Sequence, residues 1–210
     1  MTKEVSAPPA DWDPTAPRVL ADQRTAYDEL RSRCPVARDA SGTWLLTGHE
    51  PVRRAALDDA TFSNAVSRFR NVPNSMDGDE HRRFRAVIDR FFEPQRLAAL
   101  VPSFRQVGEE AVAALPRNVT IDAVHDLRFD TIVRDQVVSY RPDANAAHNL
   151  VYGLGRHVCP GRGLATHEMR EAVAALLRAT TTVALASNEP CVRETPPVSG
   201  YARVPVILRS

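Results

Sequence analysis

Apolar residues recur every third or fourth position along much of the chain, and each such run predicts a helix. Ala26, Tyr27 and Leu30 share one side of a helix over 21–33, and a shorter one follows over 49–58. Phe84, Ile88 and Phe91 fall at i, i+4 and i+7 and make an apolar stripe on a helix over 79–92, with Arg82, Arg83 and Arg90 elsewhere. Ala98, Val101, Gly108, Val112 and Leu115 predict a helical region over 94–115, interrupted at Pro102. Residues 121–139 read as a helix or a helix–strand mixture, and 141–148 as a polar loop. Ala165, Met169, Val173 and Leu176 give a last helix over 162–178.

Alternation marks the strands. Pro35-Val36 and 42–47, where Trp44 and Leu46 alternate with Leu45, predict two short strands around a turn. Residues 191–193 and 202–208, separated by Pro196-Pro197 and Gly200, predict a terminal β-hairpin. Turn chemistry fills 61–64, and an Asn/Pro/Ser/Gly-rich loop fills 68–79. The class is mainly α with small β-sheets (α+β). Residues 1–18, with four prolines, are expected as an extended arm, and 19–210 as a single domain with a short central region around 117–147.

Composition narrows the partners. Against 26 acidic residues stand 27 basic ones, all arginine except Lys3, for a net charge of +1, which argues against a nucleic-acid binder. Three scattered cysteines, Cys34, Cys159 and Cys191, are too few for a disulfide framework or a zinc site. No apolar run approaches the roughly 20 residues that span a bilayer, and the first residues carry no apolar signal core. The expectation is a cytoplasmic protein with no membrane partner.

The chemistry concentrates in Tyr152-Gly-Leu-Gly-Arg-His-Val-Cys-Pro-Gly161, a tight loop presenting one sulfur. Gly153 and Gly155 permit positive φ and close backbone approach. Pro160 fits the first position of the following helix, which would set Cys159 at a helix N-terminus, where thiolate is favoured. Such a sulfur serves as nucleophile or metal ligand. Elsewhere, His81 and Arg85 lie four apart on one helix face and could grip one anion together.

The cysteine stretch resembles the haem-ligand loop of the cytochrome P450 family, F-G-x-G-x-H-x-C-x-G followed by x-x-L-A. Seven of its eight fixed positions agree: Gly153, Gly155, His157, Cys159, Gly161, Leu164 and Ala165, with Tyr152 in place of phenylalanine. The segment Asp77, His81, Arg85 likewise resembles the family's D-x-x-x-H-x-x-x-R. The resemblance covers residues from about 12 to 116 and from about 148 to 208, leaving only about 30 between, where full-length members place several helices.

That resemblance implies a shortened P450-like fold. It implies haem b (iron protoporphyrin IX) as cofactor, with Cys159 as the axial thiolate that favours O–O cleavage. It also implies His81, Arg85 and His157 at the propionates, and Tyr152, Gly153, Gly161 and Ala165 around the ring. The implied activity is oxidative, monooxygenase or peroxygenase-like, on a small-molecule substrate. A redox-neutral haem enzyme and a non-catalytic haem-binding or sensor protein are the alternatives. Asp130-Thr131 is a candidate acid–alcohol pair for proton delivery. Glu50/Arg53, Glu80/Arg83 and Glu93/Arg96 each imitate the E-x-x-R that braces the cysteine loop in the family, in the wrong place along the chain. Arg82, Arg83, Arg156 and Arg162 could face an acidic ferredoxin-type partner, and a homodimer would cover the haem face that the short centre leaves open.

Overall fold

The computed structural model describes residues 11–126, 149–194 and 200–210. The chain forms two compact units, one up to Phe62 with 195–197, the other from Ser63 onward.

In the first unit, Pro17 opens a one-turn helix, α1 (Pro17–Ala21), and Asp22 accepts the Thr25 N–H at 3.1 Å to cap α2 (Gln23–Arg33). Strands β1 (Val36–Arg38) and β2 (Trp44–Leu46) pair antiparallel with Ala37 opposite Leu45, as the alternation predicts. The turn between them closes on the Asp39 carboxylate, which accepts from the Ser41 and Thr43 N–H groups. Helix α3 (His49–Leu57) follows. Trp12, Val19, Ala26, Leu30 and Ala37 form the core, with the Trp12 and Tyr27 rings 5.0 Å apart. Residues 12–18 are therefore not an extended arm. An indole at 3% exposure and the Asp11 N–H bond to the Arg38 carbonyl tie this stretch to the sheet.

The second unit carries α4 (Gly78–Asp89), a 3₁₀ turn (Arg90–Phe92) and α5 (Pro94–Ala113). Pro102 does not interrupt α5, which runs through it. Helix α6 (Arg162–Ala179) packs on α5 where Gly108 removes a side chain. A Cβ there would meet the Ala172 Cα at 3.3 Å. Arg105 on α5 donates to Glu171 on α6 at 2.9 Å, and Arg178 returns the pairing to Glu109 at 2.9 Å.

Strand β7 (Pro205–Arg209) lies between β3 (Thr120–Asp122) and β4 (Thr182–Leu185), antiparallel to both, with Ile121 and Leu185 both opposite Val206. A separate pair joins β5 (Val192–Arg193) to β6 (Tyr201–Arg203). The expected hairpin thus divides at Val204: only its first part pairs with 192–193, and the rest becomes the centre of a sheet. Ile121, expected in a helix or mixture, lies in β3, because its partners are supplied by β7 rather than by its neighbours. Val112, Ile121, Ala175, Leu176, Val204, Val206 and Leu208 form this unit's core. On α4 the buried residue is His81, while the stripe residues Phe84 and Phe91 are exposed.

Candidate functional site

Two glycines shape the cysteine loop. Gly153 (φ +72°) and Gly155 (φ +65°) occupy the left-handed region that side chains disfavour. The Gly153 N–H returns to the Leu150 carbonyl at 2.9 Å, and residues 155–157 wind into a single 3₁₀ turn. The Cys159 N–H then donates to the Tyr152 carbonyl at 2.8 Å, closing the loop on its first residue. Helix α6 begins only at Arg162, capped by Gly161, so Pro160 lies before the helix and not at its first position. Cys159 is exposed. A Cβ on Gly161 would touch both Cys159 Sγ and Phe92 Cε1 at 3.8 Å, so sulfur and ring flank the same Cα. Ala165 lies one turn into α6, where its N–H bonds the Gly161 carbonyl at 2.9 Å. Tyr152 and Gly153 line a cavity of about 350 Å³ beside the loop, shared with Arg162 and Thr166.

Helix α4 faces this loop. Its N-cap, Asp77, does not cap its own helix: one oxygen accepts from the Ser63 hydroxyl and the other from the Asn64 N–H at 3.1 Å. The Ser63 bond first, and the Asn64 bond next, hold its carboxyl below the usual range. The same carboxylate lies 3.6 Å from His157 Nε2. The His157 ring stacks on His81 at 4.1 Å with 34° between planes. His81 is buried at 2% exposure, and its Nδ1 has no hydrogen-bond partner among the described residues. Burial first, then the charges of His157 and Arg85, lower its pKa and keep the ring neutral near pH 7.

Arg85 bonds to its own helix and to the cysteine loop. Its Nε donates to Asp89 at 2.9 Å, and its Nη1 to the carbonyls of Val158 at 2.8 Å and Arg156 at 3.2 Å. The structure therefore brings His81, Arg85, His157 and Cys159 to one place. Asp89, Ser63 and Asn64 belong to the site without any motif that marks them. The Asp89 role is legible in its i+4 spacing from Arg85, whereas the other two reach Asp77 across a loop.

Asp130 and Thr131 lie outside the described residues, as does His148. Of the three E-x-x-R imitations, Glu50–Arg53 and Glu93–Arg96 are local surface pairs at 2.9 and 3.9 Å, and Glu80 turns to Arg70. Among the described residues no group of three or more His, Cys, Asp or Glu side chains could hold a metal ion, and no helix is long and apolar enough to cross a membrane.

No protein-family model matches the chain. Cytochrome P450 CYP105Q4 of Mycobacterium marinum is 30% identical over 139 residues, which is 57% of this chain and 34% of that protein. Erythromycin C-12 hydroxylase of Saccharopolyspora erythraea is 30% identical over 104 residues, 45% of this chain and 26% of that protein. A solved structure of cytochrome P450epoK with bound epothilone D matches with a TM-score of 0.77, 13% identity, and coverage of 95% of this chain and 99% of that one. The chain resembles cytochromes P450 and has a P450-like fold. It spans about a third or less of the length of these curated relatives. In this P450-like chain the cysteine loop, the helix behind it and the helix facing it are all in place.

Proposed function

We propose that the chain binds haem through Cys159 and uses it for oxidation of a small organic molecule. The observation that carries this reading is an exposed sulfur on a glycine-shaped loop beside a buried imidazole nitrogen lacking a partner. That donor set fits a haem. A lone thiolate is too little to hold a free metal ion but suffices as one axial ligand to iron already chelated by a porphyrin. His81 Nδ1 is a buried polar atom that a propionate would satisfy, and leaving it bare costs about 1–3 kcal/mol. Tyr152, Gly153, Gly161 and Ala165 would border the ring. When bound, haem b would supply one-electron and oxygen chemistry. The chain's own share is to aim the sulfur, donate to carboxylates from His81 and His157, and keep water from the proximal side with Phe92.

The oxidative class follows the hydroxylase named among the relatives. A redox-neutral haem reaction or a haem-binding role without turnover would use the same residues. Arg83, Arg156 and Arg162 are exposed and would suit an acidic ferredoxin-type partner. A porphyrin face left in water forfeits burial at about 25 cal/mol per Å², so a second copy covering the open face, a homodimer, is part of the proposal. A haem-loaded monomer in light scattering would reject that part.

The test is the optical spectrum of the haem-reconstituted chain, reduced and exposed to CO. A thiolate-type red-shifted Soret band is expected, and Cys159→Ala should abolish it. Persistence of the band in that variant would overturn the assignment.

A further inference from the structure

We infer that α4 is the brace of the cysteine loop, and that Arg85 is a positioning residue for Cys159. The decisive unit is the peptide joining Val158 to Cys159. Its carbonyl accepts from Arg85 Nη1 at 2.8 Å, while its N–H donates to the Tyr152 carbonyl at 2.8 Å. A peptide plane pinned through both polar groups resists rotation, and its orientation, together with φ at Cys159, sets the direction in which the Cys159 Cα–Cβ bond leaves the backbone. The second Nη1 bond, to the Arg156 carbonyl at 3.2 Å, spans His157, so one guanidinium nitrogen staples both ends of the dipeptide 157–158.

The guanidinium is itself held. Asp89, one turn along α4, takes the Nε hydrogen at 2.9 Å, and only 12% of the Arg85 side chain remains exposed. Three of its five N–H donors are thereby spent on protein acceptors. At the other end of the helix, Asp77 lies 3.6 Å from His157 Nε2, next to the same turn. Asp77 and Arg85 are eight residues apart, about 12 Å along a helix axis, so α4 meets the loop at two separated points. Two turns of rigid helix then act against the loop as a splint. On the same face the buried His81 Nδ1 has no hydrogen-bond partner among the described residues.

The inference rests on the haem-thiolate reading only in naming what is positioned; the bracing is a property of the chain before any cofactor binds. Hydrogen–deuterium exchange on the full chain without haem tests it, using Arg85→Gln, Arg85→Lys and Asp89→Asn. Loss of charge-assisted hydrogen bonds to the loop should speed exchange of the 153–159 amides at least about tenfold in Arg85→Gln. Arg85→Lys, which keeps one donor, should restore part of the protection. Asp89→Asn, an exposed change, should loosen the loop less than Arg85→Gln and serves if the latter fails to fold. In haem-loaded protein the reduced CO spectrum of Arg85→Gln should shift from the thiolate-type band toward the non-thiolate form. Unchanged loop exchange in Arg85→Gln would overturn the brace. If the wild-type chain takes up no haem, the haem-thiolate reading fails while the exchange arm still decides the brace.

Discussion

Replacing Gly108 by alanine sets two opposed effects against each other at the crossing of α5 and α6. In an isolated helix interior the change is favourable by about 1 kcal/mol, because glycine carries more backbone entropy into the unfolded state. At this position the new Cβ would lie 3.3 Å from the Ala172 Cα, 3.6 Å from the Ala172 nitrogen and 3.6 Å from the Glu171 carbonyl oxygen. All three are main-chain atoms of a helix, so none can turn aside as a side-chain tip would. Relief requires α6 to move as a body, straining the 2.9 Å bond between Arg105 and Glu171 and the packing of Ala175 and Leu176. Overpacking of this kind costs about 1–3 kcal/mol. Taking the middle of that range, the net is a destabilisation of about 1 kcal/mol, or roughly 2–4 °C in Tm for a unit of this size. Thermal unfolding of the wild type and Gly108→Ala followed by circular dichroism reads it directly. A Tm that rises by a few degrees would mean the helix-propensity gain is unopposed, and that α5 and α6 do not approach as described.

Two further outcomes concern the same unit. Leu208 on the central strand β7 has no exposed surface, and Leu208→Ala should lower stability in urea by about 2–5 kcal/mol through lost burial and an unfilled cavity. A loss under about 1 kcal/mol would place β7 outside the core. His81 sets a pH dependence. Its folded pKa is depressed, chiefly by burial, so the stability it contributes is complete above the unfolded value of about 6.5 and is lost as the pH falls from there through the folded value. Without haem, the wild-type Tm should therefore fall more steeply than that of His81→Gln between about pH 7.5 and about pH 5. Parallel curves would show that His81 is not held neutral by its surroundings.

Where physics acts within one turn, the sequence read well. The glycines at 153 and 155 announced positive φ and both adopt it, and the alternation at 44–46 became β2 opposite β1. The four-residue spacing put His81 and Arg85 on one face of α4, and the motif around Cys159 pointed to the P450-like fold that the comparisons bear out. Composition and periodicity were weaker guides wherever burial depended on a distant partner. The stripe Phe84, Ile88, Phe91 has helical spacing, yet two of its members face outward while a histidine is buried.

By itself, then, the sequence determined the local conformations: which stretches wind, where the loop must turn, and which sulfur it presents. The tertiary structure alone decided the pairings. Strand β7 left the expected hairpin to sit between β3 and β4, Trp12 became core, and Arg85 found carbonyls 71 and 73 residues away. The reason is physical. A backbone angle or a helical period is set by neighbours within a few positions, and so is written in them. A guanidinium with five donors will donate to any oxygen that the fold brings within reach, and which oxygen that is cannot be known until distant segments have met.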